Sequence, residues 1–261
     1  MFVKNLATGE TTLVSADSNG EQGNSSSFSP SVTVDGSGTV FVAYRSQASN
    51  LVSGDYNGVD DVFLWTSGRP DYGDAPDSAP GTGVGNYETT HANGGPSHFV
   101  VAGLFPGANV DGDDGTLQNS RASADDIDGA LPDDEDGVLN SFDLRGTEGA
   151  APVVTLLAAN ETGSEATLYG WIDFDQDGVF DNATERASIA VPDGSTDARF
   201  ALTFPTIPVG SFGQTYTRFR LSTDTAAASS TGAAADGEVE DYQFTITAPG
   251  DGTVKNSTKI A

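Results

Sequence analysis

Asp173, Asp175 and Asp177 stand two residues apart, with Gly178 next and Asp181 and Glu185 beyond. Carboxylates at that spacing supply what a calcium ion needs. This hard cation takes six to eight oxygens, and a tight loop offers them from side chains at offsets 1, 3 and 5. A glycine at offset 6 turns the chain, and a backbone carbonyl serves at offset 7. Asp173, Asp175, Asp177, Gly178, Val179 and Asp181 fill these places in order. The closing place differs from the helix–loop–helix rule, because offset 12 is Thr184 and Glu185 stands at 13. The expected ligands of the loop are therefore Asp173, Asp175, Asp177, Val179 through its carbonyl, Asp181 and Glu185. The bland alternative is an ordinary acidic hairpin loop.

The flanks decide what must hold such a loop. Leu168-Tyr169-Gly170-Trp171-Ile172 precedes it and Ala187 to Val191 follows. Both are short and rich in aromatic or β-branched residues, so the loop is expected between strands. Further strands are expected at Pro152 to Ala159, Glu165 to Phe174, Ala198 to Phe204, Thr215 to Ser222 and Val239 to Thr247. Thr217, Phe219 and Leu221 alternate with Arg218 and Arg220, and Tyr242, Phe244 and Ile246 alternate with Gln243 and Thr245. Alternation of that kind places one set of side chains on each face. The expected fold is all-β, with the loop in a calcium-stabilised antiparallel β-sandwich.

The composition agrees. Of 261 residues, 36% are hydrophobic and 32 are glycine, and no stretch keeps a helical period. The formal charge of −27 argues against nucleic acid and anionic membrane surfaces as partners. Nine Asp and one Glu lie between Asp111 and Asp136, opposed only by Arg121. Such clustering favours metal ligation over its two competitors, a halophilic surface and disordered solvating tracts. With no cysteine, disulfides and thiolate zinc sites are excluded. His91 and His98 lack zinc spacing and are expected in loop or packing roles. No nucleophile elbow or dinucleotide fingerprint is present, and a carboxylate pair among 38 acids carries no weight as a glycosidase signal.

Four units are expected along the chain: residues 1–66, a linker at 67–70, a sandwich at 71–248 and a tail at 249–261. Phe2 to Leu6, Thr11 to Ser15, a hairpin of Ser31 to Val34 with Thr39 to Tyr44, and Asp61 to Trp65 form the first. With Ser29-Pro30-Ser31-Val32 and Asn57-Gly58-Val59-Asp60-Asp61-Val62-Phe63, it resembles one blade of a TolB-type β-propeller. Propellers close with several blades, so that resemblance implies a truncated repeat.

Three more acidic motifs frame the sandwich. They are Asp71-Tyr72-Gly73-Asp74-Ala75-Pro76-Asp77, Leu131-Pro132-Asp133-Asp134-Glu135-Asp136-Gly137-Val138 and Asp236-Gly237-Glu238-Val239-Glu240-Asp241-Tyr242. With the acidic run they supply further candidate ligands: Asp71, Asp74, Asp111, Asp134, Glu135, Asp136, Glu238, Glu240 and Asp241. Glu238 and Glu240 share a face, with Asp241 opposite. Between those two glutamates a calcium ion is expected, or else Arg218 and Arg220 from a neighbouring strand. The last motif spells G-E-V-E-D. Together with the loop and Tyr216-Thr217-Arg218-Phe219-Arg220-Leu221-Ser222-Thr223, it makes residues 71–247 resemble the GEVED domain of bacterial secreted and surface proteins.

That resemblance implies a calcium-stabilised sandwich in multidomain extracellular proteins, without known catalysis. Met1 to Asn5 has no signal-peptide pattern, and no apolar run reaches transmembrane length. The expectation is a non-catalytic structural or adhesive module, cut from a longer secreted or cell-surface protein, with no nucleic acid bound and no membrane insertion. Its partners would be calcium ions and a polysaccharide or cell-surface protein. The alternative is an accessory, carbohydrate-gripping module of an extracellular enzyme, for which Tyr169, Trp171, Tyr216 and Tyr242 would form an exposed row. An enzyme in its own right is the third class.

Overall fold

The computed structural model describes all residues except 5, 7–10, 18–21, 35–39, 53–54, 68–69, 111, 114, 125–134 and 250–261. The chain divides into two units, Met1–Pro70 and Asp71–Ala261. Strands dominate both, and the described helices are two single 3-10 turns, His91–Asn93 and Thr225–Ala228. Among the described residues no helix is long and apolar enough to cross a membrane.

In the first unit β1 (Phe2–Lys4) pairs with β2 (Thr11–Leu13). A separate antiparallel meander joins β3 (Ser27–Val34), β4 (Val40–Ser46) and β5 (Asp61–Thr66). Val42 and Tyr44 of β4 pack with Val14, Ala48 and Leu51. A propeller blade has four strands in one sheet. Among the described residues β1 and β2 pair only with each other, so a blade stays a resemblance.

The second unit holds β6 (Pro70–Tyr72), β7 (Ser97–Phe99), β8 (Leu104–Pro106), β9 (Arg145–Thr147), β10 (Val153–Asn160), β11 (Ala166–Ile172), β12 (Arg186–Val191), β13 (Ser195–Thr203), β14 (Gly213–Ser222), β15 (Ala233–Ala234) and β16 (Glu238–Thr247). One sheet runs β12-β11-β14-β16-β9 and a second runs β13-β10-β8. Leu168, Phe219, Leu221, Phe244 and Ile246 of the first meet Leu104, Val154, Leu156, Ala158 and Leu202 of the second in one buried cluster. Two sheets with a shared apolar filling make a sandwich, and each fully buried Leu, Val or Phe stabilises it by about 1.5–3 kcal/mol. The pairing is not wholly antiparallel: β9 runs parallel to β16, and β15 parallel to β7.

The outer face of the five-stranded sheet is covered as well. Ala75, Tyr87 and Ala122, from the poorly apolar stretch before β9, form a second cluster with Trp171, Phe180 and Tyr216. A long sequence with few apolar residues thus becomes a lid over one sheet face, anchored by single aromatic and polar side chains.

Candidate metal centre

The loop of residues 173–185 joins β11 to β12. Its base is tied down by the amide of Asp173 donating to the Tyr216 carbonyl (3.2 Å) and that of Ile172 to the Glu185 carbonyl (3.3 Å). Asp173, Asp175 and Asp177 converge, each offering a carboxylate oxygen within 4.8 Å of the others. Among the described residues this is the one group of three or more potential ligands so arranged. Asp173 is buried, whereas the other two are exposed.

Local hydrogen bonds aim these oxygens. The Gln176 amide donates to Asp173 Oδ1 at 2.6 Å, and the Gly178 amide to Asp173 Oδ2 at 3.1 Å. The Val179 amide donates to Asp177 Oδ1 at 2.8 Å. Side chains that accept from amides two to five residues on hold the chain in a tight curl around them. Gly178 has φ +82°, and a Cβ there would lie 2.1 Å from the Gly83 carbonyl oxygen, so no other residue fits.

The remaining loop carboxylates, Asp181 and Glu185, accept hydrogen bonds from loop amides. Asp181 Oδ1 accepts from the amides of Ala183 (2.6 Å) and Thr184 (2.9 Å), which hold its carboxyl below the usual range. Glu185 is buried and braces the loop from within. Its Oε1 accepts from the Phe174 amide (2.6 Å) and its Oε2 from the Asp181 amide (2.8 Å). Burial pushes Glu185 up to about 8, with the Asp173 and Asp175 charges adding to the shift. Burial likewise pushes Asp173 up to about 6. Hard carboxylate oxygens crowded at the loop mouth, one of them costly to ionise alone, suit a hard cation in their chemistry.

The other candidate ligands are scattered. Asp241 faces the outer side of its sheet and takes Arg218 in a two-pronged ion pair, with Nε to Oδ1 and Nη2 to Oδ2 both 2.7 Å and both side chains fully buried. Its Oδ2 also accepts from the Ala75 amide. Asp71 Oδ2 accepts from the Val239 amide at 2.5 Å, and Asp74 Oδ2 from the Ala124 amide. Asp136 accepts from the Ala108 amide and the Asn109 side chain. Asp111 and Asp134 lie outside the described residues.

Glu238 and Glu240 do share a face, but not the one that Arg218 and Arg220 occupy. Glu240 stands opposite Phe219 and Glu238 opposite Leu221, on the core side. The alternative in which the arginines lie between these glutamates is corrected by that register. The parity was legible: Glu238 and Glu240 are in step with Tyr242, Phe244 and Ile246. Gly137 donates its amide to Glu240 Oε1 (2.8 Å), and the half-buried Tyr242 is pushed up first by desolvation and then by Glu240, Glu135 and Glu238.

Arg220 occupies a polar niche beside Arg218. Its Nε donates to His98 Nε2 (2.8 Å), and His98 Nδ1 donates to the Asp236 carbonyl (2.6 Å), which sets the tautomer. Tyr72 and His91 meet at 2.7 Å. His98 is thus buried and His91 sits exposed in the 91–93 turn, the packing and loop roles expected of them. The four aromatics do not form an exposed row: Trp171 and Tyr216 are buried, Tyr242 packs on the main core, and Tyr169 lies under Arg186. Sequence reasoning missed Tyr87, whose hydroxyl donates to Asp173 Oδ2 at 2.7 Å from 86 residues away. Only an aromatic in a polar stretch marked it.

Neither the curated proteins nor the solved structures compared with this chain include a match. Residues 167–245, which carry the loop, the Arg218 strand and the G-E-V-E-D letters, match the GEVED domain family.

Proposed function

We propose that residues 71–248 form a calcium-binding, non-catalytic structural module that works as part of a larger protein outside the cell. The observation that carries this reading is the convergence of Asp173, Asp175 and Asp177 in a loop seated on a rigid sheet. When bound, the ion supplies charge neutralisation and a cross-link among loop oxygens. Asp173, Asp175 and Asp177 would hold it, with Val179 offering its carbonyl, while Glu185 braces the backbone. An extracellular setting fits, because loop sites of modest affinity fill at extracellular calcium levels. The GEVED match supports a modular rather than a catalytic role. An adhesive role toward a polysaccharide or surface protein belongs to the same proposal. The carbohydrate-gripping alternative loses its aromatic row to the two cores.

The test is calorimetric titration of calcium into the chain and into Asp173→Ala/Asp175→Ala. The double variant is expected to lose one bound calcium while keeping its β-sheet circular dichroism. Magnesium should replace calcium poorly, because it demands stricter octahedral geometry. An unchanged calcium count in the double variant would reduce the loop to an acidic turn.

A further inference from the structure

Tyr87 belongs to the segment that covers the outer sheet face, yet its hydroxyl ends on the loop. It donates to Asp173 Oδ2 at 2.7 Å, the oxygen that also accepts from Gly178. The ring is buried, stacked on Phe180 with centroids 4.7 Å apart and edge-on to Tyr216 at 5.2 Å. Its own amide donates to the Pro76 carbonyl at 2.7 Å. Beside it, Gly83 and Asn86 close a turn by exchanging amide bonds of 3.0 and 2.8 Å. The carbonyls of that turn rest on Gly178 so closely that a Cβ would lie 2.1 and 2.5 Å from them. Loop and cover therefore touch backbone to backbone at Gly178, ring to ring at Phe180, and through a single hydroxyl at Asp173.

Packing alone does not call for that hydroxyl, since phenylalanine would fill the same aromatic space. The hydroxyl adds one donor to one carboxylate oxygen. An ionised carboxylate only accepts, so the phenol is the donor in this bond. Groups that hydrogen-bond a metal-ligating carboxylate orient it, and their loss typically weakens metal affinity by about 10–100-fold.

We infer that Tyr87 is a positioning residue for the cation held by Asp173, Asp175 and Asp177, and that loading this loop is thereby linked to the seating of residues 76–93 on the sheet. The inference rests on the calcium reading above. The linkage runs both ways: an ion that fixes Asp173 steadies the covering segment, and a seated segment presents Asp173 to the ion.

Calcium is titrated into the whole chain, Tyr87→Phe and Tyr216→Phe. Tyr216 belongs to the same aromatic cluster, but its hydroxyl donates to the Ser120 carbonyl. Tyr87→Phe is expected to bind calcium about tenfold more weakly, and Tyr216→Phe to keep the unsubstituted affinity. Amide exchange across 76–93 is expected to slow on calcium addition in the unsubstituted chain and in Tyr216→Phe, and to respond less in Tyr87→Phe. Equal calcium affinity in Tyr87→Phe would overturn the inference, as would calcium binding that leaves exchange in 76–93 unchanged in the unsubstituted chain. That second readout needs no variant to fold. An unsubstituted chain that binds no calcium overturns the calcium reading and this inference with it.

Discussion

Arg218 and Asp241 are both fully buried, and each fills its remaining hydrogen-bonding capacity locally. Arg218 donates to the Ser230 carbonyl (2.9 Å) and Thr89 Oγ1 (2.8 Å), and its guanidinium lies 4.9 Å from the Phe180 ring centroid. Such a pair gives little net stability over an apolar replacement, but half of it is costly to keep. Asp241→Asn is expected to destabilise the second unit by about 3–5 kcal/mol in urea unfolding. Adding Arg218→Met should recover part of that loss; a double variant weaker than the sum of the two singles would contradict it. His98 belongs to the same buried layer. Burial, then the neighbouring Arg220 charge, hold its pKa well below the ordinary value. The unfolded ring takes its proton near ~6.5, so below that pH the unfolded state binds more protons. Stability from this group is present above that value and lost as pH falls beneath it. His98→Gln should flatten the acid side of the stability profile relative to the unsubstituted chain. Carboxylate contributions cancel in that comparison, so parallel profiles would remove His98 as their cause.

At the scale of elements, the loop between β11 and β12 depends on its neighbours as much as on its own letters. Gly178→Ala meets both a left-handed φ and the carbonyls of Gly83 and Asn86. A strained φ of that kind costs about 1–3 kcal/mol, and the close carbonyls forbid relief without separating loop from cover. Gly178→Ala is therefore expected to lower the melting temperature in calcium and to raise the calcium dissociation constant. A variant with unchanged affinity would show that the loop holds its shape without the 83–86 turn. Strand identities were legible because alternation is a local property: Phe219 and Leu221 of β14 and Tyr242, Phe244 and Ile246 of β16 alternate with polar residues, as expected. Their register, which sets Arg218 against Asp241 and Phe219 against Glu240, was not, since pairing joins distant parts of the chain.

The whole chain comprises two units, and among the described residues the three-carboxylate group lies in the second. Its charge of −27 makes the calcium-free chain self-repelling. An ion bound only by the folded state stabilises by about 2.7 kcal/mol at a hundredfold excess over its Kd. Scanning calorimetry is expected to show two transitions, of which calcium raises one by several degrees and chelation lowers the same one. A single transition that moves as a whole would mean that the units unfold together.

Taken alone, the sequence determined the all-β class, the long strands of the sandwich, the acidic loop and the exclusion of thiol chemistry, but not the short strands β6 to β9 and β15. What it determined follows from residue type and short-range spacing, where sterics and periodicity act within a few residues. The tertiary structure decided which carboxylates meet. It turned Asp241 to Arg218 and Glu238 and Glu240 to the core, gave Glu185 to loop amides, and brought Tyr87 to Asp173. Those outcomes depend on strand register and on the segment before β9 folding over a sheet face. Both are set by the burial of the whole assembly, and no local pattern of residues encodes it.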